Sequence, residues 1–231
     1  MRIAIIPARG GSKRIPKKNI KDFFGKPMIV WSIEAAKSSS CFDRIIVSTD
    51  DEEIASVAKK YGAEAPFIRP ASLSDDHTTV APVIDHAIKS LAQNGCEIDE
   101  VCCIYATAPF IKPFDIKTGL NKLQNLDCDF SFAVCNYEFP IQRAFSILGE
   151  VGVNMYQPED FNTRSQDLED AYHDAGQFYW GYSSSWAKDI KMFSNRSAPI
   201  ILPRYRVQDI DTIEDWTRAE LLFKTMKDSN S

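Results

Sequence analysis

The chain has 231 residues with a formal net charge of −5, 44% hydrophobic and 11% aromatic residues, enough to bury the core of one α/β domain. The acidic balance excludes nonspecific nucleic-acid binding, and no apolar run is long enough to span a membrane. Six cysteines without a Cys-x-x-Cys pair, and an amino terminus without a signal-peptide layout, predict structural thiols in a cytoplasmic protein.

The first predicted element is a strand, Ile3-Ala4-Ile5-Ile6, apolar at every position as in a strand buried on both faces. It empties into Pro7-Ala8-Arg9-Gly10-Gly11-Ser12-Lys13-Arg14-Ile15-Pro16-Lys17-Lys18-Asn19, with five cations between Arg9 and Lys18. Such a loop, opening at the carboxyl edge of a sheet, suits a polyphosphate: glycine admits the anion to the backbone and the cations neutralise it. Neither Gly-x-x-x-x-Gly-Lys-Ser/Thr nor Gly-x-Gly-x-x-Gly is present, so the loop is neither a P-loop nor a dinucleotide fingerprint.

Pro27 opens a predicted helix with Ile29, Ile33 and Ala36 on one face. A strand over 44–49 follows, then a helix capped by Asp50 or Asp51 and stopped by Gly62. Further on come a short strand near 66–68, a helix over about 80–92, a strand over 101–105, a helix over about 113–123 and a strand over 130–134. The alternation predicts a mostly parallel sheet flanked by helices, a Rossmann-like α/β fold. Periodicity fades over 137–173, which reads as an inserted arm, leaving 1–136 and 174–231 as the main domain. A strand over 177–180 and a helix over about 212–226 close the chain.

Near the carboxyl terminus, Asp209 and Asp211 stand two apart, so on an extended segment both carboxylates face one side. Paired hard oxygen donors suit magnesium, although Asp211 or Thr212 could instead cap the following helix. A diacid in the same chain as a polybasic glycine-bearing loop makes the two halves of a magnesium-nucleotide site.

The run from Ile5 to Lys13, with Pro16-Lys17-Lys18-Asn19, Phe42 to Asp50, Arg69-Pro70-Ala71 and Asp209-Ile210-Asp211, resembles the CMP-sugar synthetases, which are acylneuraminate cytidylyltransferases. Segments 139–144, 162–168 and 172–181 are most similar to the branch that activates pseudaminic acid. Tyr105, Ala108 and His173-Asp174-Ala175-Gly176 depart from the pattern of enzymes for N-acetylneuraminate, the alternative sugar.

The resemblance implies a nucleotidyltransferase moving CMP from CTP to an acidic nine-carbon keto sugar. It implies catalytic roles for Arg9, Lys18, Asp209 and Asp211, with Asp209 and Asp211 holding magnesium as the cofactor. Nucleotide binding would fall to Ala8, Arg9, Gly10, Gly11, Ser12, Lys18, Asn19 and Arg69. Sugar binding would fall to Thr107, Gln142, Arg143, His173, Asp174, Gln177 and Tyr179, with Arg143 acting across a homodimer built on the 137–173 arm. Other acidic keto sugars, a sugar 1-phosphate, or nucleotide sensing without turnover are the competing readings.

Overall fold

The computed structural model describes residues 1–188 and 190–228; residues 189 and 229–231 of the expected main domain lie outside the described residues. The strands are β1 (Arg2–Pro7), β2 (Asp22–Phe23), β3 (Lys26–Pro27), β4 (Arg44–Ser48), β5 (Glu100–Ile104), β6 (Phe130–Asn136), β7 (Phe145–Ile147), β8 (Val153–Met155), β9 (Tyr172–Tyr182) and β10 (Ser197–Ile201). The helices are α1 (Met28–Ser39), α2 (Glu52–Lys60), α3 (Val80–Ala92), α4 (Pro113–Asn125), α5 (Ser183–Ala187) and α6 (Ile213–Asp228).

Six strands form one sheet in the order β10-β6-β9-β5-β1-β4. β1 runs parallel to β4 and β5, and β10 parallel to β6, while β9 lies antiparallel between β5 and β6. The sheet is thus mostly parallel, as the alternation of elements predicts. Alternate residues of β1 feed two cores: Ala4 and Ile6 pack with α1, α2 and α4, whereas Ile3 and Ile5 pack with α3 and α5. Both faces are therefore covered, which is why the strand carries no polar alternation.

Strand direction explains where the loops gather. The carboxyl ends of β1, β4, β5, β6 and β10 share one edge, and the antiparallel sense of β9 brings its opening residues His173 and Asp174 to that edge as well. Open α/β sheets bind ligands at this edge.

Several expectations change in detail. Pro27 precedes α1 in extended conformation and pairs with Asp22 across a hairpin whose turn, Phe24-Gly25, has positive φ at both residues (54° and 86°). Asp51, not Asp50, caps α2, its side chain accepting from Ile54 N. The strand expected at 66–68 reduces to a bridge between Thr49 and Ile68, flanked by Pro66 and Pro70, which have no N–H to donate. β9 begins at Tyr172, inside the expected arm, and a β7–β8 hairpin rather than irregular chain occupies the arm's centre. β10 carries Pro199, tolerated because this strand is at the sheet edge.

Candidate active site

Apolar packing brings the basic loop and the diacid segment together. Ile15, in the middle of the basic loop, and Ile210, between the two aspartates, are buried in one cluster with Phe23, Met28, Phe110 and Trp216. Each isoleucine turns its polar neighbours toward the sheet edge. Lys18 Nζ then donates to Asp211 Oδ1 at 3.1 Å and to the Ile210 carbonyl at 2.5 Å, and Arg14 Nη2 donates to Asp211 Oδ2 at 3.0 Å. The capping alternative falls to Thr212: its hydroxyl accepts from Asp215 N (3.2 Å) while its own N–H donates to Asp215 Oδ2 (2.8 Å). That reciprocal cap leaves the Asp211 side chain to the cations.

The segment leading to the diacid is held from below. Arg206 makes a paired contact with Asp115 in the first turn of α4, at 2.6 and 3.3 Å. Gln177 Nε2 donates to the Arg206 carbonyl at 2.6 Å.

A cleft of about 500 Å³ opens above this junction, and its wall includes Arg9, Ser12, Lys18, Asn19, Arg69 and Asp211. Asn19 is fixed there by donating Nδ2–H to the Arg9 carbonyl at 2.9 Å. Arg69 is 4% exposed, its Nη2 3.7 Å from Asp50, and burial lowers its pKa against the pull of that carboxylate. A guanidinium remains charged regardless. Ala8 is buried, with its N–H donated to the Ser48 carbonyl at 2.9 Å.

Of the two loop glycines, only Gly10 answers to close approach. A Cβ there would lie 2.7 Å from Asp51 Oδ2, and the Gly10 N–H donates to Asp50 Oδ1 at 2.9 Å. Gly11 has open space around the same position.

The expected sugar residues divide into three groups. Thr107 lies on the cleft wall beside Tyr105 and Ala106. Asp174, Gln177 and Tyr179 lie at the end of the sheet beneath Tyr105 rather than on that wall: the Tyr179 ring is 5.2 Å from the Tyr105 ring and its hydroxyl donates to Asp174 Oδ2 at 2.6 Å. Burial, then the neighbouring Tyr105 and Asp174, push the Tyr179 hydroxyl far above its ordinary range, so it stays a donor. Gln142 and Arg143 belong to the arm and bond within it, to the carbonyls of Glu169 and Thr163. His173 also faces the arm, its ring 4.9 Å from that of Tyr137. Within one chain Gln142, Arg143 and His173 are therefore apart from the cleft wall.

The wall also holds Tyr105, noted in the sequence only as a departure from the N-acetylneuraminate pattern, and residues that the sequence patterns did not single out. Tyr105 closes one side, and the stretch Asp75, Asp76, Thr78 and Thr79 before α3 closes another. A turn-and-cap composition such as Ser74-Asp75-Asp76-His77-Thr78-Thr79 signals only the start of a helix. Acidic residues beside a phosphate loop carry no recognisable motif.

Asp211 lies on the cleft wall and Asp209, which is not on it, is close enough to feel the Asp211 charge, so the pair would offer a metal two hard oxygen donors; no cluster of three or more His, Cys, Asp or Glu positioned as a metal cage occurs among the described residues. That donor set fits magnesium, which keeps several waters and takes phosphate oxygens. Desolvation, then the adjacent Asp211 charge, raises the Asp209 carboxyl above its ordinary value of 3.8. A carboxyl raised in the folded state favours folding below its unfolded pKa, and that benefit is lost as pH rises through the folded value. Asp209→Asn is therefore expected to melt no lower than wild type at pH 7 while losing turnover. Differential scanning fluorimetry beside a pyrophosphate-release assay checks both, and a lower melting temperature would contradict the sign.

The cytidylyltransferase family profile matches residues 3–215. The chain is 47% identical over 227 residues to the pseudaminic acid cytidylyltransferase of Campylobacter jejuni, covering 98% of each. It is 32% identical to the CMP-N,N'-diacetyllegionaminic acid synthase of Legionella pneumophila, covering 96% of each. The fold matches a CMP:2-keto-3-deoxy-manno-octonic acid synthetase solved with CTP, with a TM-score of 0.69 at 16% identity, over 97% of this chain and 99% of that one. With its basic loop and diacid joined at the carboxyl edge of such a sheet, the chain belongs to the cytidylyltransferase family.

Proposed function

We propose that this enzyme transfers CMP from CTP to the anomeric hydroxyl of a nonulosonic acid, pseudaminic acid, releasing pyrophosphate. The observation that carries the reading is the direct contact of Lys18 with Asp211 across the cleft, 193 residues apart in sequence. It brings together the half that would bind phosphate and the half that would hold the metal. Relatives with 47% identity over nearly the whole chain support pseudaminic acid as the sugar.

In this reading Arg9, Lys18 and the Ser12 region hold the triphosphate, and the uncrowded backbone at Gly11 lets it approach. Asn19 and Arg69 face the nucleoside side. The sugar enters past Thr107, and fixed acceptors such as Asp174, locked by Tyr179 and by Gly176 N at 2.9 Å, meet its N–H and O–H groups. The main obstacle is charge, because an anionic sugar acid must approach an anionic triphosphate. Cations on the cleft wall neutralise the phosphates and hold the two reactants in line. Magnesium held by Asp209 and Asp211 would screen the α-phosphate and lower the pKa of the attacking hydroxyl.

The assembly proposed is a homodimer through the 137–173 arm, acting in the cytosol, where CTP is made. The arm supports this by exposing Phe139, Phe145, Ile147, Leu148, Val151 and Phe161, an apolar load a monomer seldom leaves in water. A partner's arm would then supply Arg143 to the cleft.

The test incubates the protein with CTP, magnesium and a panel of pseudaminic, legionaminic, N-acetylneuraminic and 3-deoxy-octulosonic acids, and identifies the nucleotide sugar by mass. Formation of CMP-pseudaminic acid at the highest kcat/KM is expected. Preference for another acid would overturn the sugar assignment, and turnover of a sugar 1-phosphate would overturn the reaction.

A further inference from the structure

The stretch 74–79 contacts the phosphate loop through charge. Asp76 Oδ1 lies 2.7 Å from Arg9 Nη1, Asp76 Oδ2 accepts from Lys13 Nζ at 2.5 Å, and the Asp75 carbonyl accepts from Arg9 Nη1 at 2.5 Å. The two aspartates are not equivalent. The Asp75 carboxylate folds its own loop, taking bonds from His77 N (2.9 Å), Thr78 N (2.7 Å) and the Thr78 hydroxyl (2.7 Å). Asp76 is thereby turned outward onto the cations. Lys13 and Arg9 in turn hold the Asp76 carboxyl below the ordinary carboxylate range, so it is charged at neutral pH.

The loop is tethered at its start through Ser74. Ser74 Oγ donates to the Pro70 carbonyl and accepts from Arg69 Nε, both at 3.1 Å. Past Asp76 the chain runs directly into α3, whose cap residue Thr79 makes no side-chain cap bond. Because the Asp76 pairs are exposed, their individual strength is small and a polyphosphate of higher charge can displace them.

We propose that Asp76 is a built-in counter-ion of the phosphate cradle, competing with the polyphosphate for Arg9 and Lys13. This rests on the nucleotide reading given above and names a residue that sets nucleotide affinity and the release of pyrophosphate. A triphosphate gains Arg9 and Lys13 only by displacing Asp76. When pyrophosphate is the ligand on those cations, the same carboxylate opposes its retention. The device lowers ground-state affinity for anions in general, which hastens turnover where product release limits the rate.

Calorimetric titration of inorganic pyrophosphate and of CTP, with EDTA present, tests this on wild type, Asp76→Asn and Asp76→Glu. Asp76→Asn is expected to bind both ligands roughly fivefold tighter at low salt, as the loss of two exposed ion pairs to competition predicts, with the gain shrinking at high ionic strength. Asp76→Glu, which keeps the charge, is expected to stay within about twofold of wild type. Equal or weaker binding by Asp76→Asn would overturn the counter-ion role while leaving the nucleotide reading intact. Equal tightening by Asp76→Glu would also overturn it, because loop rearrangement and not charge would then be the cause. A wild-type protein that binds neither ligand would overturn both readings.

Discussion

Replacing Asp211 by alanine is expected to lower kcat by about 10³-fold at saturating CTP and magnesium, with little change in thermal stability. The side chain is 44% exposed and, among the described residues, is bonded to the cationic ends of Lys18 and Arg14, so its removal opens no buried cavity. The segment around it keeps its anchors: Ile210 in the apolar cluster, the Thr212–Asp215 cap and the Arg206–Asp115 pair. What disappears is one of the two carboxylates proposed to hold magnesium. Because Lys18 and Arg14 are then relieved of their counter-ion, CTP binding without magnesium is expected to hold or tighten. Pyrophosphate release and magnesium-free CTP titration separate the two effects. A kcat within about tenfold of wild type would remove the metal assignment.

Legibility in the sequence follows how local each signal is. β1 and its loop are readable because an unbroken apolar run followed by glycines and five cations states both burial and chemistry within nineteen residues. The diacid is readable for its spacing, yet the sequence alone leaves it undecided between capping and metal binding. The tertiary contact of Asp211 with Lys18 and Arg14, and the capture of the cap by Thr212, take the capping role away from Asp211. β10 escapes sequence reading because Ser197-Ala198-Pro199 carries weak strand propensity, and position at the sheet edge is what permits it. The sense of β9 is equally nonlocal. Its antiparallel pairing with β5 and β6 decides that His173 and Asp174 reach the same edge as the phosphate loop. Asp76 is the most instructive case, since an acid beside a polybasic loop contradicts the composition expected there and is explained by its two cationic partners.

The apolar joint between the two halves of the site should be as consequential for stability as Asp211 is for chemistry. Ile210 is fully buried, and truncation to alanine removes methylene groups from a cluster already filled by Ile15, Phe23, Phe110 and Trp216. Such a cavity costs about 2–5 kcal/mol, against a total stability of about 5–15 kcal/mol, and lowers Tm by roughly 4–20 °C for a domain of this size. Ile210→Val, which loses one methylene, should cost only about 0.5–1.5 kcal/mol. Because Ile210 also sets the register of Asp209 and Asp211 against Lys18, the alanine variant should need more magnesium for half-maximal rate even well below its melting temperature. Urea unfolding gives the first quantity, and a magnesium titration of the rate gives the second. Loss of stability with an unchanged magnesium requirement would mean that Ile210 supports the fold alone, and that Lys18 and Arg14 suffice to place Asp211.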